Sequence, residues 1–339
     1  MSKSFKILPL LLVASLTACN NLAKKSGVGY YFYTELSYSL YTDNANVVNK
    51  IKDLCKDIDN YSDPYEKRSM TNVYDINQTN EKIEIGMDLY YLLSTAKTAM
   101  QHASNFNPLI GSLSDKWKES LGKDNPEPLS DTVIQEELAK INSSSYELSF
   151  DGNPLSSDMR TYKFYVQRNG EATLDLGAIT KGFALDRICE ILKVNKVTDY
   201  IIDCGSSSIL LGTNEHTKSW NGKKETSFTV SLRDVPGTKF KAQDCVISSS
   251  GNDIQGVEIG GTMYSHIINP NTGSAVMEND AVIVITDVAK GYLGDALSTS
   301  LMMNTVEEIK EIEKAVNAKT IVVKNKKIVY SHPDIEFVS

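Results

Sequence analysis

Apolar residues at 47, 48, 51, 54, 55 and 58 recur at the spacing of one helical face and predict a helix over 47–58. Leu89, Leu92, Leu93, Ala96, Ala99 and Met100 form the stripe of a second helix over 87–103, and 132–141 reads as a third. Residues 30–41 are aromatic and β-branched, as a strand or hairpin requires. Tyr162, Phe164 and Val166 alternate onto one face, and strands over 162–166 and 172–174 flank an Asn169-Gly170 turn. Trp117 sits between them and the second helix, in a stretch punctuated by Gly, Ser and Pro. The second half repeats strand, glycine turn and helix. Strands are expected over 200–203, 206–211, 227–232, 245–249, 263–268, 281–285, 321–323 and 328–330, with helices over 179–192, 294–303 and 306–316. No regular strand–helix alternation runs throughout. The expected class is therefore α+β, with mixed, mostly antiparallel sheets packed with helices.

With 339 residues, 41% of them hydrophobic, the chain has enough apolar material for one large or two ordinary domains. A formal net charge of -8 excludes broad binding to nucleic acid, whose phosphates reward cationic surfaces. None of the 5 Cys forms a CxxC pair and no two of the 4 His share a helical face, which argues against a structural zinc site. Cys55, Cys189, Cys204 and Cys245 fall in or beside apolar segments and read as buried free thiols, although an exported protein could pair two of them.

The first residues have a separate logic. Lys3 and Lys6 precede or open the apolar run Ile7, Leu8, Leu10, Leu11, Leu12 and Val13, which is too short to span a bilayer. It ends in Leu16-Thr17-Ala18-Cys19, which resembles the bacterial lipobox. The reading is a signal peptide over 1–18, a lipid anchor on Cys19, a polar tether over 19–29, and a folded domain from 30 to 339 on the extracytoplasmic face of the cell membrane.

Three segments carry candidate chemistry. In Leu174-Asp175-Leu176-Gly177-Ala178-Ile179-Thr180-Lys181-Gly182 a carboxylate leads into a glycine turn and a helix start bearing Lys181. Such a start can hold phosphate, or it is a plain turn with an exposed lysine; the Walker A spacing is missing. In Tyr264-Ser265-His266-Ile267-Ile268-Asn269-Pro270-Asn271-Thr272-Gly273 the histidine precedes a tight turn. It can take a proton from a hydroxyl near neutral pH, or simply brace its own turn. The nearby Ser248-Ser249-Ser250-Gly251 lacks the spacing of a hydrolase nucleophile elbow. In Gly294-Asp295-Ala296-Leu297-Ser298-Thr299 a carboxylate and a hydroxyl stand four apart on one helix face. They suit a hard cation such as Mg²⁺, or Asp295 is a helix cap.

These blocks in this order, with Asp203-Cys204-Gly205-Ser206 between the first two, resemble the FAD:protein FMN transferases, once called thiamine biosynthesis lipoproteins. The resemblance is strongest from Leu174 to Met303. It implies the family's two-lobed architecture and transfer of FMN from FAD to a Thr or Ser hydroxyl of an exported or membrane acceptor protein, with a phosphoester formed and AMP released. It implies that Asp175 and Lys181 contact FAD and that Ile268 lines the flavin site. It also implies that the Ala178 carbonyl joins Asp295 and Thr299 around Mg²⁺, with His266 as general base. Asn105, Phe106 and Asn107, with Trp117 after them, resemble the family's glycine-punctuated segment before a tryptophan and are expected at the cofactor; Tyr65, Asn72 and Asn77 match a polar and aromatic flavin pocket more loosely. With water as acceptor the same site would be an FAD pyrophosphatase; without chemistry it would be an FAD-binding lipoprotein. The chain departs from the family pattern at Ser206, where a second glycine is usual, at Thr180, at Asn269, and at Ser298, where some relatives carry another carboxylate.

Overall fold

The structure, a computed structural model, describes residues 22–152, 161–216, 226–252 and 256–338. The expected signal peptide and Cys19 lie outside the described residues. The described chain opens with a hairpin of β1 (Ala23–Tyr31) and β2 (Thr34–Thr42), registered from Ala23↔Thr42 to Tyr31↔Thr34. Residues 23–29, expected as tether, are therefore the greater part of an edge strand. Lys24, Ser26, Val28 and Tyr30 alternate outward into solvent, and a strand wet on one face reads locally like a linker.

The helices α1 (Asn46–Ser62), α2 (Val73–Asn77) and α3 (Met87–Met100) follow, with β3 (Lys82–Ile85) between the last two. A 3-10 turn over Pro108–Ile110 runs into α4 (Gly111–Leu121), so the segment around Trp117 is helical rather than irregular. Then come α5 (Asp131–Ser143), β4 (Ser145–Asp151) and β5 (Lys163–Asn169), which pair with β3 in the order β3-β5-β4. The expected strand over 172–174 is absent. Leu174 instead exchanges both backbone groups with the Asn77 amide, at 2.7 and 3.0 Å, and Asp175 N–H bonds the Pro108 carbonyl at 2.8 Å.

The second half supplies α6 (Thr180–Val194), β6 (Tyr200–Cys204), β7 (Ser208–Leu211), β8 (Phe228–Ser231), β9 (Lys239–Ala242) and β10 (Cys245–Gly251). After these come β11 (Val257–Ile259), β12 (Thr262–Tyr264), β13 (Ala281–Asp287), α7 (Gly291–Ser300), α8 (Val306–Val316), β14 (Lys319–Lys324), β15 (Lys327–Ser331) and β16 (Phe337–Val338). The helix expected over 294–303 begins earlier, at Gly291, and its last turn is a 3-10 turn over Leu301–Met303.

The main sheet has the order β1-β2-β6-β7-β10-β13-β14-β15, antiparallel at every pairing. Its central strands are covered on both faces. Leu210 and Val246 join a cluster with Val47, Ile51, Leu185 and Ile188 of α1 and α6. Leu211, Ile247, Ile283 and Ile321 join one with Phe240 and Leu232 beneath the small sheet β16-β9-β8. That is why β13 reads as an unbroken apolar run rather than an alternating one. A third cluster runs from Leu89 and Leu113 through Leu176 and Phe183 to Val282 and Leu297, so α3 and α4 share one core with α6, α7 and the main sheet. The fold is α+β with antiparallel sheets packed against helices, as expected. Cys55, Cys189, Cys204 and Cys245 are all buried free thiols. Among the described residues no helix is long and apolar enough to cross a membrane.

Candidate active site

A cavity of about 630 Å³ opens where the tip of the β1–β2 hairpin, the start of α6, the ends of β7 and β10, the His266 turn and α7 converge. That volume is ordinary for a small-molecule site. Asp175, Ala178, Lys181, Asn105, Phe106, Asn107, Tyr65, His266, Ile268, Asp295 and Thr299 all line it. Residues spread along the chain from Tyr65 to Thr299 thus meet in one place.

Asn72 does not reach the cavity. Fully buried, it caps α2 in a reciprocal capping box with Asp75, and its amide also donates to the Glu66 carbonyl at 2.7 Å. Asn77 lies outside as well, beside a smaller neighbouring pocket, holding Leu174. Asn72 shapes the loop that carries Tyr65 and Asn77 the one that carries Asp175; neither lines the cavity.

Asp175 accepts the Gly177 N–H at 2.8 Å, which tightens the turn into α6, and its other oxygen lies 3.6 Å from Lys118 Nζ. Lys118 donates to Tyr65 Oη at 2.6 Å, and Tyr65 donates to Asp115 at 3.2 Å. Burial works against the Lys118 charge, but Asp175 and the Tyr65 bond outweigh it and hold its pKa above the usual lysine range. Lys181 also lines the cavity, and among the described residues no hydrogen bond or ion pair engages its ammonium group. Two ammonium groups therefore face the space where an anionic substrate would lie.

His266 stands two residues beyond β12, not within the strand expected over 263–268. Ser265 breaks the strand: its buried hydroxyl accepts the Ile267 N–H at 3.0 Å and turns the chain, burying Ile267 and Ile268 consecutively. The turn is then pinned from three sides. Trp117 donates its indole N–H to the Gly273 carbonyl at 2.9 Å, Asn271 donates to Asn105 at 2.9 Å, and Asn269 N–H bonds Ser274 at 2.8 Å. Asn105 also bonds Ser300 and Asn304, so its amide joins the His266 turn to the end of α7. His266 keeps an open face toward the cavity while the walls crowd its other sides. That desolvation, followed by the charges of Lys181 and Lys118, lowers its pKa below the ordinary histidine value.

Asp295 is not an exposed pocket residue but a buried one, and it is no helix cap, since α7 begins four residues earlier. Its Oδ1 accepts the hydroxyls of Ser208 at 2.8 Å and Ser248 at 2.7 Å, and its Oδ2 accepts the Gly182 N–H at 2.6 Å. Burial pushes its pKa up, while Lys181 and these three donors pull it down; burial wins. Thr299, one turn on, meets Ser250 at 3.3 Å. No group of three His, Cys, Asp or Glu side chains among the described residues could hold a metal. The Ala178 carbonyl, one Asp295 carboxylate oxygen and the Thr299 hydroxyl offer hard oxygen donors of low total charge. That donor set fits Mg²⁺, which keeps several waters and takes few protein ligands, and does not fit zinc.

The sequence reading missed Lys118, Phe32, Tyr33, Ser208 and Asp186. Phe32 and Tyr33 form the hairpin tip at the cavity, with φ of 55° and 58°, a region bulky residues rarely occupy. Asp59 accepts the Phe32 N–H at 2.7 Å and Asp63 accepts the Tyr33 hydroxyl at 3.3 Å, which holds this strained tip in place. Nothing local in the sequence marks Lys118. Asp186 had a visible signal, since Gly182-Phe183-Ala184-Leu185-Asp186 and Gly291-Tyr292-Leu293-Gly294-Asp295 share one pattern: glycine, aromatic, two residues, aspartate.

An antiparallel α+β scaffold that brings a helix start, a histidine turn and a carboxylate–hydroxyl pair to one cavity defines a class of ligand-processing protein, and comparison places it. The sequence model of the ApbE family matches residues 32–322, and the chain belongs to that family. A FAD:protein FMN transferase of Vibrio cholerae serotype O1 is 30% identical over 157 residues, 46% of this chain and 43% of the relative, so the chain spans less than half of that relative's length. One of Haemophilus influenzae is 22% identical over 323 residues, 92% of this chain and 90% of the relative. The crystal structure of the ApbE protein of Thermotoga maritima superposes with a TM-score of 0.70 at 20% identity, covering 93% of this chain and 96% of that one.

Proposed function

We propose that this protein transfers FMN from FAD to a Thr or Ser hydroxyl of an exported or membrane acceptor protein. The observation that carries the reading is that His266, Lys181, Ala178, Asp295 and Thr299 line a single cavity. Family membership and the relatives' activity support it.

In the proposed step the acceptor oxygen forms a bond to the FMN phosphorus, the bond from that phosphorus to the bridging pyrophosphate oxygen breaks, and AMP leaves with that oxygen. Neutral His266 takes the hydroxyl proton as the new bond forms, a task its lowered pKa suits near neutral pH. Lys181 and Lys118 hold the anionic pyrophosphate against the helix start, and Asp175 positions Lys118 for it. Phe106, Ile268 and Tyr65 offer apolar and aromatic surface to the substrate's rings. Asn107, whose side-chain oxygen caps the 3-10 turn at 3.0 Å, keeps its amide nitrogen for the same wall. Mg²⁺, held by Ala178, Asp295 and Thr299, would neutralise charge on the phosphoryl group. A lipid on Cys19 would keep the domain at the extracytoplasmic membrane surface beside its acceptors.

The test is incubation with FAD, Mg²⁺ and an acceptor protein competent for flavinylation. The expected result is an acceptor mass gain of one FMN residue and stoichiometric AMP. Free FMN and AMP with an unmodified acceptor would instead identify a pyrophosphatase, and FAD recovered intact would leave only binding.

A further inference from the structure

The two glycine–aromatic–x–x–aspartate segments meet face to face. Gly182 on α6 and Gly291 on α7 touch through bare backbone: a Cβ on Gly182 would lie 2.1 Å from the Gly291 carbonyl oxygen, and one on Gly291 would lie 2.6 Å from the Gly182 carbonyl oxygen. Across this contact the helices exchange carboxylates. Asp295 of α7 accepts the Gly182 N–H at 2.6 Å, and Asp186 of α6 accepts the Gly291 N–H at 2.6 Å and the Tyr292 N–H at 3.0 Å. The first amides of a helix lack intrahelical partners, and the N-cap of α7, Lys290, offers no side-chain bond. Asp186 therefore supplies that cap from the neighbouring helix. It is buried and absent from the cavity wall, so it touches no substrate.

We propose that Asp186 is a positioning residue for the cation site, clamping the start of α7 onto α6 and so setting where Asp295 and Thr299 stand relative to Ala178. The inference rests on the cation site proposed above. The two halves of the donor set come from different segments: Ala178 stands two residues before α6, whereas Asp295 and Thr299 ride on α7. Covalent structure does not fix their separation; the crossing does. A carboxylate that binds both leading amides of α7 resists both sliding and rotation of that helix, which a single bond would not. Outer groups that orient a metal's ligands typically change affinity by about 10–100-fold when removed.

The experiment is calorimetric titration of Mg²⁺ alone into the wild-type protein, Asp186→Ala and Asp186→Asn, with near-ultraviolet circular dichroism to establish native packing. Glu190→Gln, one turn further along α6 and outside the clamp, is the control. Asp186→Ala is expected to weaken Mg²⁺ binding by about 10-fold or more. Asp186→Asn keeps the shape and one acceptor oxygen, so it is expected to fold natively and lose several-fold, and Glu190→Gln to bind like wild type. If Asp186→Ala does not fold, the asparagine variant decides. Native variants that bind Mg²⁺ as wild type does, with only a lower unfolding midpoint, would make Asp186 merely structural and overturn the inference while the cation site stands. A wild-type protein that binds no Mg²⁺ would remove the cation site and this inference together.

Discussion

His266 owes its proposed role to a surrounding that makes it a base rather than a cation. Desolvation and two lysines lower its pKa, so it stays neutral as pH falls through 6.5 and protonates only below that. The acid limb of the transfer rate should accordingly lie below pH 6.5. Lys181→Met removes one of the two charges and should move that limb upward, toward but not beyond the ordinary value, because desolvation remains. An unchanged limb would show that Lys181 does not act on His266. His266→Ala should retain FAD binding, read by titration, and lose about 10²–10⁴-fold in the rate of acceptor flavinylation. Asp295 calls for a gentler probe than alanine. Its removal would strand three donors, two of them hydroxyls, each costing about 1–3 kcal/mol when buried without a partner. Ser206 shows the opposite economy. It is exposed at φ 58°, where glycine is at ease, and Gly205 beside it must be glycine because a Cβ would meet Thr34 Oγ1 at 2.1 Å. Ser206→Gly should therefore stabilise the fold by up to about 1 kcal/mol in denaturant titration.

Elements act through their crossings, and at the α6–α7 crossing backbone meets backbone. Gly182→Ala gains helix propensity of about 1 kcal/mol but drives a Cβ into the Gly291 backbone, and the net expectation is destabilisation by about 1–3 kcal/mol. An unfolding midpoint equal to wild type would mean that the helices part without cost. The same crossing predicts a pH dependence. Burial, then Asp295 and Glu190, raise the Asp186 pKa to about 7 against the pull of the Gly291 and Tyr292 amides. A carboxyl raised in the folded state contributes stability below its unfolded pKa, and that contribution is lost as pH rises through about 7. Asp186→Asn, which cannot titrate, should flatten the decline in stability between roughly pH 4 and 7. A decline as steep as the wild type's would assign it to other groups. Much of this level was legible beforehand. The stripe Leu89, Leu92, Leu93, Ala96 and Ala99 is the buried face of α3, and the spacing of Asp295 and Thr299 did place both on the cavity. The break after Tyr264 was not legible. Ile267 and Ile268 look like continued strand, and it takes the Ser265 hydroxyl, the bond from Trp117 to Gly273 and the Asn271–Asn105 bond to hold them in a turn.

At the scale of the whole molecule, the site is the junction of segments distant in the chain, with the His266 turn tied to α4 by Trp117 and to α7 through Asn105. Trp117→Phe should lower the transfer rate without touching substrate, since it frees the turn and leaves a buried carbonyl unpaired. The expected stability loss is about 1–3 kcal/mol. Location is a whole-molecule property too: Cys19→Ala should abolish lipid labelling and release the protein from membranes, and unchanged labelling would refute the anchor. The sequence by itself determined the α+β class, the helix start at Lys181, the histidine turn and the aspartate–threonine pair, because each is a local pattern of spacing, turn chemistry and side-chain type. Tertiary structure decided the rest. It turned Asn72 inward as a cap and Asn105 into a joint. It made a strand of a polar N-terminal stretch, brought Lys118 to Asp175, and buried Asp295 among donors from α6, β7 and β10. Those outcomes depend on which distant segments supply hydrogen-bond partners and opposing charge, and that is settled only when the chain packs.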